Sequence, residues 1–361
     1  MVYTVVFAVT AAIVVIHGVS ADFLFNYTLL SLAIVGGCTA LMSGGVFGLA
    51  GIFPPICTHA LMTGQAVAGL VVSMTSIFTL MGAHADDGCD GDHVTSTCKT
   101  YEIDWAAFSY FCIAVLILLA CIACFLVLER LPITLYYREK AEATIETTHV
   151  DGGEGVETPL YPLLSSGSDE LSKTKHTGKL ERVVRAVKAP ALSVFFVFAV
   201  TLSLFPTISS RIDSAQKCDT KNRFFNELFV PFSFLLFNGF DLVGRVVPAY
   251  IDISKTKKVK TFVSVASCCR VIFFPLFLLC NVKGTQLPVV FKSDIFPIMF
   301  MVLFAFSNGL ISSLCMMLGP QLVNISEQEL TGNVMIFFLS FGLLSGSCLS
   351  FVNYKIGTGS W

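Results

Sequence analysis

The chain has 361 residues, of which 55% are hydrophobic and 13% charged, with a formal net charge of -2 and a mean hydropathy of +0.77. A soluble domain carries about 25% charged residues, so this composition cannot cover a water-facing surface and excludes a soluble enzyme or a disordered chain. No basic patch points to nucleic acid, and a polytopic membrane protein remains.

Apolar runs long enough to span a bilayer occur in chain order at about 1–20, 27–54, 61–82, 105–128, 189–210, 226–250, 262–281, 294–319 and 333–353. The first lacks a positively charged n-region and is long for a signal peptide, so it reads as a span. Pro54-Pro55 and Gly319-Pro320 punctuate the second and eighth runs. One long polar stretch, 130–187, is rich in Glu, Thr, Ser and Gly and reads as a disordered loop. It divides the chain into a four-helix membrane bundle (1–129) and a five-helix membrane bundle (188–361).

Basic residues collect on the cytoplasmic side of membrane proteins. With the long loop inside, 13 of the 23 Lys and Arg residues fall inside, 8 outside, and Arg245 and Arg270 lie within spans. This orientation puts the polar loop HADDGCDGDHVTSTCKT outside, where Cys89 and Cys98 would form a disulfide. Eleven of the 13 cysteines lie in or beside apolar runs and read as small buried hydrophobes. The Cys121/Cys124 pair has no second pair, so no metal site is expected. His17 reads as a core residue, His59 falls in a short inside loop, and His84 and His93 fall in the outer loop.

The sixth run, PFSFLLFNGFDLVGRVVPAY, carries two charges four residues apart, Asp241 and Arg245, on one helix face. Asn238 shares that face, flanked by Phe234 and Phe237. Charge inside a bilayer costs a few kcal/mol or more unless paired or wetted (about 2.5–3.5 on insertion scales). Two readings follow. The pair lines an aqueous cavity, where a carboxylate acceptor and a planar guanidinium donor suit a neutral, hydroxyl-rich ligand such as a ribose. Alternatively, it is an internal ion pair holding helices together. Arg270, in the seventh run, reads as structural, pairing with Asp241 or meeting a helix end. Small residues recur every four positions in the second run at Gly36, Ala40, Gly44 and Gly48, and also appear at Gly64, Gly69, Gly342 and Gly346. They read as helix-packing seams. Pro206, Pro231 and Pro248 mark hinges or kinks.

Seven segments in order resemble the equilibrative nucleoside transporter family. They are GGVFGLAGIFP (44–54), MTGQAVAGL (62–70), SLFP (203–206), FLLFNGFDLVGR (234–245), LFLLCNVKG (276–284), FAFSNGLISSLCMMLGP (304–320) and FFLSFGLLSG (337–346). The resemblance implies a major-facilitator-like bundle and sodium-independent, facilitative nucleoside transport by alternating access. It also implies a multi-pass location in the plasma membrane or an intracellular one, no enzyme activity, no cofactor, and purine or pyrimidine nucleosides as substrate. Asp241 and Arg245 then correspond to the ribose-binding pair, Asn238, Phe234 and Phe205 lie near the sugar, and Leu343 touches the ligand. Gly64 and Gly69 match glycines needed for transport. Ser43 stands where well-studied members carry a base-reading Gln. Against that family the chain begins at the third helix, leaving four helices and then five. Two alternatives follow: a transport-incompetent scaffold or regulator, and a proton-coupled nucleoside or nucleobase carrier.

Overall fold

A computed structural model describes residues 2–15, 20–82, 105–140, 168–217, 222–251 and 256–358. The helices are α1 (Val2–Val15), α2 (Ala21–Ile52), α3 (Pro55–Gly82), α4 (Trp105–Arg130), α5 (Ser168–Leu204), α6 (Phe229–Val246), α7 (Thr256–Cys269), α8 (Phe273–Leu278), α9 (Ile295–Gln321) and α10 (Gln328–Thr358). Among the described residues only isolated β-bridges accompany them. Among the described residues, eight segments are long and apolar enough to cross a membrane: Asp22–Ile52, Pro55–Phe78, Phe111–Arg130, Gly178–Arg211, Phe224–Tyr250, Lys257–Leu278, Ile295–Gln321 and Ile325–Ile356. Val2–Ile13 is a shorter apolar helix. The protein is an all-α polytopic membrane protein.

The helices form two compact units, 1–46 with 92–154, and 47–91 with 155–361. In the first, Tyr3 on α1 donates a hydrogen bond to Thr39 on α2 (2.6 Å), and Thr10 meets Tyr27 (3.1 Å). Phe7 on α1 packs against Phe111 on α4, with ring centroids 6.0 Å apart. Many other apolar side chains on these helices are exposed, among them Leu29, Leu30, Leu41, Leu116 and Leu126.

The second unit contains α3 and α5–α10, with two apolar clusters. One joins Met62, Val183, Val187, Val194, Leu314 and Met335 among others. The other is largely aromatic, with Phe229, Phe237, Phe273, Phe277, Phe300 and Phe304. On α5 and α9 the clusters meet end to end, and the polar residues Thr201 and Asn308 lie where one gives way to the other.

Several details differ from the sequence reading. Helix α5 begins inside the stretch expected to be a loop, and residues 132–140 are helical. In α5, Val183, Val187, Ala191 and Val194 recur at helical spacing on a buried face, while Arg182 and Arg185 face outward. High charge concealed that amphipathic stripe. The seventh run breaks at a 3-10 turn, Arg270–Ile272, between α7 and α8. Helix α9 continues through Pro320. Of the three hinge prolines, Pro206 follows the end of α5, Pro231 lies in the first turn of α6, and Pro248 sits in a 3-10 turn closing α6.

The second-run glycine ladder splits in two. At Gly36, Gly37 and Gly45 a Cβ would meet nothing within 4 Å, whereas at Gly48 it would lie 3.1 Å from the Asn333 side chain. At Gly51 it would lie 2.6 Å from the Gln328 carbonyl. Gly342 and Gly346 do form a seam, against the backbone of Phe195 and Ala199 on α5. Cys89 and Cys98 lie outside the described residues, as do His17, His84 and His93. Cys121 and Cys124 are exposed free thiols.

Candidate substrate site

Helix α6 crosses α9 so closely that both helices need glycine at the contact. A Cβ at Gly244 would strike the Phe306 carbonyl, and one at Gly309 the Asp241 carbonyl. The absence of side chains there lets the backbones touch and puts Asp241 and Arg245 against α9.

Both are buried, Asp241 at 4% and Arg245 at 7% exposure. Arg245 Nε donates to Asp241 Oδ2 at 2.8 Å. Its Nη1 donates to the Met62 carbonyl of α3 at 3.2 Å and lies 3.8 Å from the Met62 sulfur. These contacts use Nε and Nη1 and leave Nη2 without a hydrogen-bond partner among the described residues. The other carboxylate oxygen, Asp241 Oδ1, accepts from Asn308 Nδ2 at 2.7 Å. Of the two readings of the pair, the internal ion pair describes this arrangement directly.

Asn308 Oδ1 is 2.7 Å from the Thr201 hydroxyl, which accepts in turn from Arg270 Nη2 at 2.8 Å. Arg270, 1% exposed, also donates to the Phe304 carbonyl (2.8 Å) and to the Ser307 hydroxyl. Its guanidinium lies over the Phe304 ring, 4.5 Å from the centroid, a stabilising cation–π geometry. Arg270 therefore reaches Asp241 through Thr201 and Asn308, and its direct partners are on α5 and α9. The network holds two guanidinium groups against one carboxylate.

Around the pair, Phe205 stacks on Phe237 (centroids 4.0 Å, planes 12° apart) and packs on Phe234 (4.8 Å). Asn238 donates to Ser73 on α3 (2.7 Å) and to the Phe234 carbonyl (3.0 Å). A Cβ at Gly69 would strike the Asn238 amide oxygen, which explains glycine there. The structure thus brings Asp241, Arg245 and Asn238 onto one face of α6, with Phe205 and Phe234 in ring contact and Gly69 against Asn238. Leu343 packs instead beside the first apolar cluster. At Gly64 a Cβ would meet nothing within 4 Å.

The sequence reading missed Asn308, Thr201, Met62 and Ser73, each uncharged and within an apolar run. It also placed His59 in a loop. His59 lies on α3, buried, with Nε2 2.8 Å from the Arg245 carbonyl. A carbonyl only accepts, so the ring carries its proton on Nε2. Among the described residues, no group of three or more His, Cys, Asp or Glu could hold a metal ion.

A family model described as "Nucleoside transporter" matches residues 29–354. Equilibrative nucleoside transporter 1 of Mus musculus is 32% identical over 366 residues, covering 96% of this chain and 73% of the relative. The Homo sapiens protein of the same name is 31% identical, covering 96% of this chain and 72% of the relative. Equilibrative nucleoside transporter 2 of Mus musculus is 30% identical, with 96% and 75% coverage. The relatives are named as transporters, and the residues matched by the family model span α6. The chain belongs to the equilibrative nucleoside transporter family.

Proposed function

We propose that the protein carries nucleosides across a membrane, the plasma membrane by preference, by facilitated alternating access without ion coupling. The supporting observation is the buried, hydrogen-bonded Asp241–Arg245 pair inside the Phe224–Tyr250 span. A charged pair at that depth is costly, and it retains unused hydrogen-bonding capacity suited to a sugar. Arg245 Nη2 has a free donor, and each Asp241 oxygen, with one hydrogen bond in the structure, has a second lone pair. A ribose presents adjacent hydroxyls, each able to donate and accept. One hydroxyl would donate to Asp241 while its neighbour accepts from Arg245 Nη2. A hydrogen bond to a charged group contributes about 1.5–3 kcal/mol net, enough to separate a ribonucleoside from its dideoxy analogue.

Asn238, Phe205 and Phe234 would shape the sugar side of the site. The transport-incompetent and proton-coupled readings have no observation favouring them. The test is uptake of radiolabelled uridine and adenosine in cells without their own carriers. Saturable uptake that is indifferent to a sodium or proton gradient, and poorly competed by 2′,3′-dideoxynucleosides, supports the proposal. Absence of uptake with normal surface expression overturns it.

A further inference from the structure

We infer that Thr201, Asn308 and Arg270 form a positioning relay that orients the Asp241 carboxylate for substrate hydroxyls; this rests on the ribose reading above. The chain of contacts is Arg270 Nη2 to Thr201 Oγ1 (2.8 Å), Thr201 Oγ1 to Asn308 Oδ1 (2.7 Å), and Asn308 Nδ2 to Asp241 Oδ1 (2.7 Å). All four residues are buried.

Its ends fix its direction. A guanidinium only donates, so the Thr201 oxygen accepts from Arg270 and its single proton points elsewhere. Two acceptors compete for that proton, the Val197 carbonyl and Asn308 Oδ1, each at 2.7 Å. The carboxylate only accepts, so the Asn308 amide must turn its NH2 group toward Asp241 and its oxygen toward Thr201. With the amide reversed, two acceptor oxygens would face each other across the 2.7 Å gap. The two donors that the ends fix, Arg270 toward Thr201 and Asn308 toward Asp241, both point toward the carboxylate, and with the Thr201 proton on the Asn308 side each bond polarises the next. The relay occupies Oδ1 from one side while Arg245 holds Oδ2 from the other, which fixes the plane of the carboxylate and the direction of its remaining lone pairs. Arg270 also anchors the starting point, since its contacts to Phe304 and Ser307 hold the guanidinium on α9.

Thr201→Val removes the hydroxyl at nearly constant shape and leaves the Asn308 amide oxygen without its partner on α5. The experiment measures uptake of uridine and 2′,3′-dideoxyuridine by wild type, Thr201→Val, Thr201→Ser and Asn308→Ser, with surface labelling to normalise for expression. The relay predicts that Thr201→Val and Asn308→Ser raise the KM for uridine about tenfold. The KM for the dideoxy compound, which lacks the sugar hydroxyls at issue, should change less than about twofold. Thr201→Ser should restore the wild-type ratio. The double variant should shift the ratio no further than either single one, because both break one chain. Should the valine variant fail to reach the surface, Thr201→Cys, a smaller side chain whose thiol is only a weak donor and acceptor, carries the same comparison.

Equal losses for both substrates would overturn the relay and assign these residues to packing alone. So would a serine variant that behaves like valine. A wild type that does not distinguish the two substrates would instead overturn the ribose reading, so the two failures are distinguishable.

Discussion

Helices α2 and α9 look alike in sequence: long, apolar and punctuated by glycine. Their surroundings differ. None of the apolar window of α2 is buried within the structure, whereas half of that of α9 is. Three α2 glycines have open space where a Cβ would go, while Gly309 of α9 is pressed against the α6 backbone and Gly319 against the Met335 side chain. Helix α9 also brings Asn308 to the only acidic side chain in the central network. Hydropathy places both helices in a bilayer. What marks α9 is the destination of its few polar and small residues, which meet neighbouring helices of its own unit.

Substitution at the tight crossing should have the largest effect. Gly309→Val drives side-chain atoms into the Asp241 carbonyl and the Arg245 amide and should abolish folded carrier at the surface, as read by surface labelling and size-exclusion profile. Gly36→Val, the corresponding change on α2, should leave both readings near wild type. A reversed result would break the comparison.

Arg270→Lys should come next. Lysine keeps the charge but cannot reproduce the planar fork that meets Phe304, Ser307 and Thr201 together. Uridine uptake should fall about tenfold or more, consistent with loss of one charge-assisted hydrogen bond, with surface expression less affected. Unchanged uptake would remove Arg270 from the functional account.

Gly69→Val should have a smaller effect. The added side chain pushes the Asn238 amide, which can swing at the cost of its bond to Ser73. Uptake should drop severalfold, and Gly69→Val/Asn238→Ala should recover part of it. Glu327→Gln should do least. Its partner Arg182 is largely exposed, so the melting temperature in detergent should fall by only a few degrees, in line with about 1 kcal/mol or less.

Much of the fold was legible because a bilayer demands long apolar helices, and the positions of most runs match the observed helices. The charge at the start of α5 hid a buried valine stripe, and the apolar seventh run gave no sign of its break at Arg270. Within the site, Asp241 and Arg245 were conspicuous as charges in an apolar run, and their i,i+4 spacing gave their pairing directly. The uncharged partners were not visible in this way. Asn308 is 67 residues from Asp241, and Thr201 is 107 from Asn308. No local pattern links them, and they meet only because glycines let α6 and α9 touch. His59 shows the same limit: Pro54-Pro55 looked like a loop, yet Pro55 opens α3 and places His59 one turn in, as proline at a helix start allows.

The most direct test of the central claim is uridine transport by Asp241→Ala beside wild type, at matched surface expression. Loss of the carboxylate strands Arg245 and removes the acceptor proposed for the sugar, so uptake should fall at least a hundredfold. Dideoxyuridine, already a poor substrate, should lose far less. Uridine uptake within about twofold of wild type would contradict the account, because the buried pair would then be a helix clamp with no part in recognition.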